Sequence, residues 1–167
     1  MGRILRFSVL AALAATSFVV VAQTPKKYTG PRPPKADIPY LVHASELVST
    51  EVGEAKEDTR KDEMAATVSG AASPVRTPMA EPIFLIATEK LNAEKIELYR
   101  MNVKGSAREV VIPTNPKKIK PEMRPVRLSY NRLEPGLYKI EAGQILENGE
   151  YCLSPSGSSQ VFCFQVY

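Results

Sequence analysis

Tryptophan is absent from this chain, histidine occurs once (His43), and cysteine only twice (Cys152 and Cys163). These shortages remove whole classes of chemistry. A centre of Cys and His ligands needs three or four of them at familiar spacings, which His43, Cys152 and Cys163 do not supply. A Cys–His nucleophile pair fails as well, because the two cysteines pair better with each other. His43 lies in an apolar stretch, where a lone imidazole reads as a half-buried strand residue rather than a base. Also missing are a G-x-S-x-G elbow, a phosphate loop, a dinucleotide fingerprint and the D-x-D-x-D-G order of a calcium loop. The expectation is a protein that is not an enzyme, with no catalytic residues, no cofactor and no metal.

Proline, by contrast, is plentiful, and five prolines fall between Pro25 and Pro39. That suits extended segments, turns and edge strands better than a helical bundle. Residues 1–22 have the three parts of a secretory signal peptide. Arg3 and Arg6 give a positive start, Phe7 to Val21 an apolar run, and Val20-Val21-Ala22 a small-residue cleavage site before Gln23. The run is shorter than the ~20 residues needed to span a bilayer. The expectation is cleavage and export to the periplasm or the exterior, with no transmembrane segment left in the mature chain. Cleavage removes two arginines and leaves 20 basic against 18 acidic residues, a balance too small to point to a polyanion.

Residues 23–36 hold Pro25, Pro31, Pro33 and Pro34 among Lys26, Lys27, Arg32 and Lys35, and read as a flexible basic proline-rich spacer. Ile38 to Val48 has the apolar content of a first strand, limited by Pro39 to an edge or a strand start. The charged stretch that follows fits either a helix or a long hairpin. Lys56/Arg60 and Asp58/Asp62 would repel at i,i+4 on a helix, which favours a hairpin with its tip at Glu57 to Lys61 and Met64 to Ser69 returning. Gly70 to Pro82 reads as a loop and Ile83 to Ala87 as a central buried strand. Asn92 is placed to cap one helical turn over Leu91 to Lys95. Glu97 to Val103 and Ala107 to Ile112 flank Lys104-Gly105-Ser106 as a hairpin.

From Arg100 to Arg127 there are eight basic residues and two acids, densest at Lys117-Lys118-Ile119-Lys120 between prolines. Lys117, Lys118, Lys120 and Arg124 are candidates for contact with an anionic surface. Nucleic acid is not expected, because no aromatics interleave to stack bases and no groove-reading motif is present. The plainer reading is a solvated connection between strands.

Six of the ten aromatic residues beyond the leader lie between Val126 and Tyr167, and several recur at period two, as in Tyr151-x-Leu153 and Phe162-x-Phe164-x-Val166. Successive strand side chains point to opposite faces, so each run places one apolar row on one side of a sheet. Leu146-Glu147-Asn148-Gly149-Glu150-Tyr151 repeats the Leu-x-x-Gly-x-Tyr spacing of Leu133 to Tyr138. This motif, followed by a strand, resembles the tyrosine corner of immunoglobulin-like and fibronectin-III-like β-sandwiches. The resemblance covers roughly the last forty residues and implies that Tyr151, with Leu146 and Gly149, fixes a crossing between sheets. It departs from the family in having no tryptophan, and Leu153 where a cysteine is usual.

If the final hairpin turns within Pro155 to Gln160 and residue pairs sum to 315, Tyr151 faces Phe164 and Leu153 faces Phe162. The same register puts Cys152 opposite Cys163 on the other face, near bridging distance. An oxidising compartment permits the bond, whose short loop limits its contribution to ~2 kcal/mol. The sequence thus predicts a signal peptide (1–22), a spacer (23–36) and one antiparallel immunoglobulin-like β-sandwich (37–167) of about seven to nine strands. The expected role is a non-enzymatic structural or binding module of the cell envelope or exterior. Its partner would be another envelope protein or an anionic envelope component, met through loops or by β-strand addition. The alternative is an accessory domain or hydrolase of envelope glycan on the same scaffold.

Overall fold

Alternating sequence becomes strand nearly everywhere in the computed structural model, which describes residues 27–167; the expected signal peptide and the first spacer residues lie outside the described residues. There are thirteen β-strands and three short 3-10 turns, with no α-helix among the described residues. The strand count exceeds the about seven to nine of a plain sandwich. Two divided segments account for part of the excess. Ile38 to Val48 is a hairpin rather than one strand, with β1 (Tyr40–His43) paired to β2 (Glu46–Ser49) through His43↔Glu46. Its turn holds Ala44 at φ 54, a conformation that a non-glycine residue rarely takes, so no glycine announces the turn. The chain then changes sheet at Thr50, whose amide and hydroxyl both donate to the Pro39 carbonyl. The acidic stretch beyond is divided into β3 (Glu51–Glu54) and β4 (Lys56–Arg60) by Ala55 alone.

The choice between helix and hairpin falls to the hairpin. β4 returns as β5 (Glu63–Ser69) with Arg60↔Glu63. The tip is Lys61–Asp62, so Glu57 lies within a strand, opposite Ala66, rather than at the tip. The loop after β5 contains one short strand, β6 (Arg76–Thr77), and leads to β7 (Ile83–Ala87). Asn92 Oδ1 accepts from the Glu94 amide to start a 3-10 turn over Ala93–Lys95. Then come β8 (Ile96–Lys104), β9 (Ala107–Pro113), β10 (Leu128–Glu134), β11 (Leu137–Ala142), β12 (Gly149–Pro155) and β13 (Gln160–Val166).

These strands form two sheets. The five-stranded sheet runs β10-β11-β7-β1-β2, with β7 central between β11 and β1. The eight-stranded sheet runs β3-β13-β12-β8-β9-β5-β4, with β6 beside β13 in the one parallel pairing. The main core lies between the first sheet and the β8-β12-β13 part of the second. Leu41, Phe84, Ile86 and Ile140 meet Leu98, Tyr151, Leu153, Phe162 and Phe164 there. Phe84 packs edge-on to Phe164 at 5.1 Å and Tyr151 stacks on Phe164 at 5.7 Å between ring centroids. Tyr130 on β10 spans this core and donates its hydroxyl to the Ile96 carbonyl.

The remaining strands do not extend this layer. The second sheet curls, so that β9 and β5 fold over the reverse face of β12 and β13, where Val68, Met101, Val110 and Val161 enclose Cys152 and Cys163 in a second, smaller core. The curl is tight enough that the terminal strands, β3 and β4, are the two halves of one bent segment. At the bend the Ala55 amide donates to the Ser159 carbonyl. A Cβ at Gly53 would meet Val68 Cγ1 at 3.5 Å and Val161 Cγ2 at 3.8 Å, ordinary contact distances that show how β3 lies against β5 and β13.

Part of the proline-rich spacer is anchored to the domain. The Tyr28 amide donates to Glu134 Oε1 at 2.7 Å and Arg32 pairs with Glu134 at 2.6 Å. Asp37, at φ 60, accepts from the amides of Glu89, Lys90 and Leu91, and those bonds hold its carboxyl below the ordinary range although burial pushes the other way.

Candidate functional site

Alternation decides what the curl encloses. Every second side chain of its strands points inward: Met64, Ala66 and Val68 from β5, Arg108, Val110 and Ile112 from β9, Tyr99 and Met101 from β8, and Cys152 from β12. Near the start of β9 and β12 and the end of β5, the enclosed space is filled. Arg108 is fully buried, and its guanidinium donates to both Glu51 oxygens at 2.8 Å, to the Gly70 carbonyl at 2.9 Å and to the Ser69 carbonyl at 3.0 Å. Gly70 takes φ 88, a left-handed conformation open to glycine without strain, as it presents that carbonyl. Glu150, 3% exposed, stands 3.5 Å from Arg108 and accepts from the Ser73 amide through Oε2. Burial pushes the Glu51 carboxyl up, but Arg108 and the Ser73 hydroxyl outweigh it and hold the group below the usual carboxylate range. Glu51 in turn raises Arg108. The cluster is an ionic plug joining β3, β9 and β12.

At the opposite end the curl stays open as a cleft of about 450 Å³. Its walls are Met64, Ala66, Val68, Met101, Val110, Ile112 and Val161, with Cys152 among them. Glu57, Glu97, Tyr99 and the serines at 154, 156, 158 and 159 supply its polar groups. The Tyr99 hydroxyl donates to Glu97 Oε2 at 2.6 Å, and burial followed by that carboxylate raises the phenol well above its ordinary value. No Lys, Arg or His lines the cleft. Volume and lining are those of a site for a small, largely apolar ligand.

The residues singled out from sequence fall in three places. Cys152 and Cys163 stand opposite each other in the β12–β13 ladder between Tyr151↔Phe164 and Leu153↔Phe162, and their sulfurs are bonded at 1.99 Å. Cys152 forms part of the cleft wall. The residues of the Leu-x-x-Gly-x-Tyr motif lie at the entrance to the same strand. Leu146 is buried in the main core, Gly149 pairs with Val166, and the Tyr151 hydroxyl donates to the Glu147 carbonyl at 2.9 Å. Lys117, Lys118, Lys120 and Arg124 are all exposed on the connection between β9 and β10, and none makes an ion pair among the described residues. Arg124 borders a separate hollow of about 230 Å³ with Arg100, Glu122 and Glu147. His43 makes one contact of note, Nε2 to Thr77 Oγ1 at 3.1 Å.

Sequence reasoning passed over the plug and the cleft. Arg108 was one basic residue among eight, yet it is in phase with Val110 and Ile112, and a charge in an apolar row marks a buried, paired group. Among the described residues no group of three or more His, Cys, Asp or Glu is placed to hold a metal ion, and no helix is long and apolar enough to cross a membrane. Comparison of the chain with protein-family models, with curated proteins and with solved structures finds no match.

Proposed function

We propose that this chain is an exported, non-enzymatic binding module: an immunoglobulin-like or fibronectin-III-like sandwich whose second sheet curls round to form the binding element. The sandwich reading is supported by the two antiparallel sheets and by the Tyr151 bond to the carbonyl four residues upstream, as a tyrosine corner has it. Export is supported by the bonded cysteine pair, which suits an oxidising compartment.

One observation carries the binding role: an apolar cleft of about 450 Å³, plugged at one end by Arg108, Glu51 and Glu150 and open at the other. Apolar side chains left facing an unfilled space cost packing energy unless something occupies it. Titration with a neutral apolar fluorophore should show saturable binding, weakened when Ala66→Leu fills the cleft while the unfolding midpoint is retained. Absence of saturable binding to the folded protein defeats the reading.

The glycan-hydrolase alternative draws on two carboxylates, Glu57 and Glu97, at one cleft. It is the weaker reading, because the walls present methyl and thioether groups where a sugar needs hydrogen-bonding partners. Release of reducing sugar from envelope glycan, lost in Glu97→Gln, would reverse that order.

A further inference from the structure

We infer that the cleft selects an amphiphilic amine, a ligand with an apolar chain or ring and a protonated amino head. This rests on the binding-module reading above and adds the chemistry of the occupant. The interior, from Val68 and Met101 up to Ile112 and Met64, offers no donor or acceptor except at its polar border, so the part of the ligand that enters is hydrocarbon. The border determines the head group. Its only charged members are Glu57 on β4 and Glu97 on β8, both acids on strands flanking the open end. Neither is matched by a cation in the lining.

Two features fit these carboxylates to receive a cation rather than simply to solvate the rim. Glu97 is oriented by the Tyr99 hydroxyl, which occupies Oε2 and leaves Oε1 free of any protein donor among the described residues. Glu57 forms no ion pair among the described residues, although Arg60, three residues on, is engaged by Asp58, Glu63 and Glu109. Arg60 and Arg100 are thus committed to other carboxylates, and Lys56 alternates to the other face of the strand. The serines at 154, 156, 158 and 159 add hydroxyl oxygens that accept from an ammonium group, which has three donors and no acceptor. A carboxylate head would meet two like charges, and a neutral alcohol would gain neither attraction nor repulsion. The hydrocarbon gives affinity in proportion to the area it buries, and the two acids give the choice among head groups.

The test compares three probes with one chain and different heads: n-octylamine, n-octanol and octanoate, titrated calorimetrically into the purified exported protein at pH 7. Octylamine should bind about fivefold or more tighter than octanol, and octanoate weaker than octanol by a similar factor, as exposed to half-exposed charge pairs allow. In Glu57→Gln/Glu97→Gln the octylamine-to-octanol ratio should collapse towards one. Glu89→Gln, an exposed acid outside the cleft, should leave the ratio as in the parent, and circular dichroism confirms that each variant is folded. Equal binding of all three probes overturns the head-group assignment while the binding cleft stands. Binding of none overturns both. A preference for octylamine that persists in the double Gln variant also overturns the assignment, since the selectivity would then reside elsewhere.

Discussion

Replacement of Arg108 by methionine isolates the energetics of the ionic plug. The side chain is fully buried and makes four hydrogen bonds, two to Glu51 and one each to the carbonyls of Ser69 and Gly70, with Glu150 3.5 Å away. Methionine fills much the same volume, so little of the loss comes from a cavity. What remains is two carboxylates stranded without their cation, one of them 3% exposed, and that situation costs about 3–5 kcal/mol. An exposed pair would cost about 1 kcal/mol or less, so the measurement discriminates. The companion variant Arg108→Met/Glu51→Gln/Glu150→Gln removes the stranded charge as well. It should regain at least about 2 kcal/mol, leaving about 1–3 kcal/mol for the Ser69 and Gly70 carbonyls that have lost their donor. Urea unfolding at pH 7 with the disulfide intact, analysed by linear extrapolation, gives both numbers. A single variant within 1 kcal/mol of the parent, or a triple variant no more stable than the single, refutes the plug as described.

Three further predictions concern stability. Cys152→Ala/Cys163→Ala should lose about 2–3 kcal/mol, the loop-closure range for cysteines 11 residues apart, and the parent should show no titratable thiol; equal stability of parent and variant refutes the linkage. Tyr151→Phe removes one hydroxyl-to-carbonyl bond at the corner and should cost about 1 kcal/mol in the same urea assay, with the β12–β13 amides exchanging faster. Glu51 and Asp37 both titrate lower in the folded chain than when unfolded, so their stabilisation is complete above the unfolded carboxylate pKa of about 4 and disappears as pH falls through the folded values. The urea midpoint should thus be flat from neutral pH down to about 5 and fall below about 4, more gently in Glu51→Gln; an undiminished midpoint at pH 3 counts against it.

What the sequence disclosed followed local rules. Period-two apolar rows located β12, β13 and their register, and with it the disulfide, because one buried face and a short turn leave a single consistent pairing. Like-charge repulsion at i,i+4 correctly favoured the β4–β5 hairpin over a helix. The β1–β2 turn was hidden because Ala44 adopts a backbone conformation that its side chain does not advertise. The curl escaped for a different reason. Alternation tells which side chains share a face, but not whether a second layer or the same sheet will cover it. Here only the phase of Arg108 with Val110 and Ile112 hinted that β9 faced an enclosed interior. The cleft was beyond reach because its walls come from five strands distant in sequence.

The single residue Ala55, where the strand of one border continues as the strand of the other, has a consequence for self-association. Peptide groups at a sheet's rim are templates for fibrils and for strand exchange between molecules, and here the ladder passes round the curl with its two rims spliced into one chain segment. The five-stranded sheet ends in β2 and β10, whose outer edges are also open to a strand from a partner or a second copy. β2 is only four residues long, and β10 is guarded at one end by the Tyr28 and Arg32 contacts to Glu134. Polymerisation of a crowded pool of the protein through the curled sheet is thereby disfavoured by the way the chain is routed.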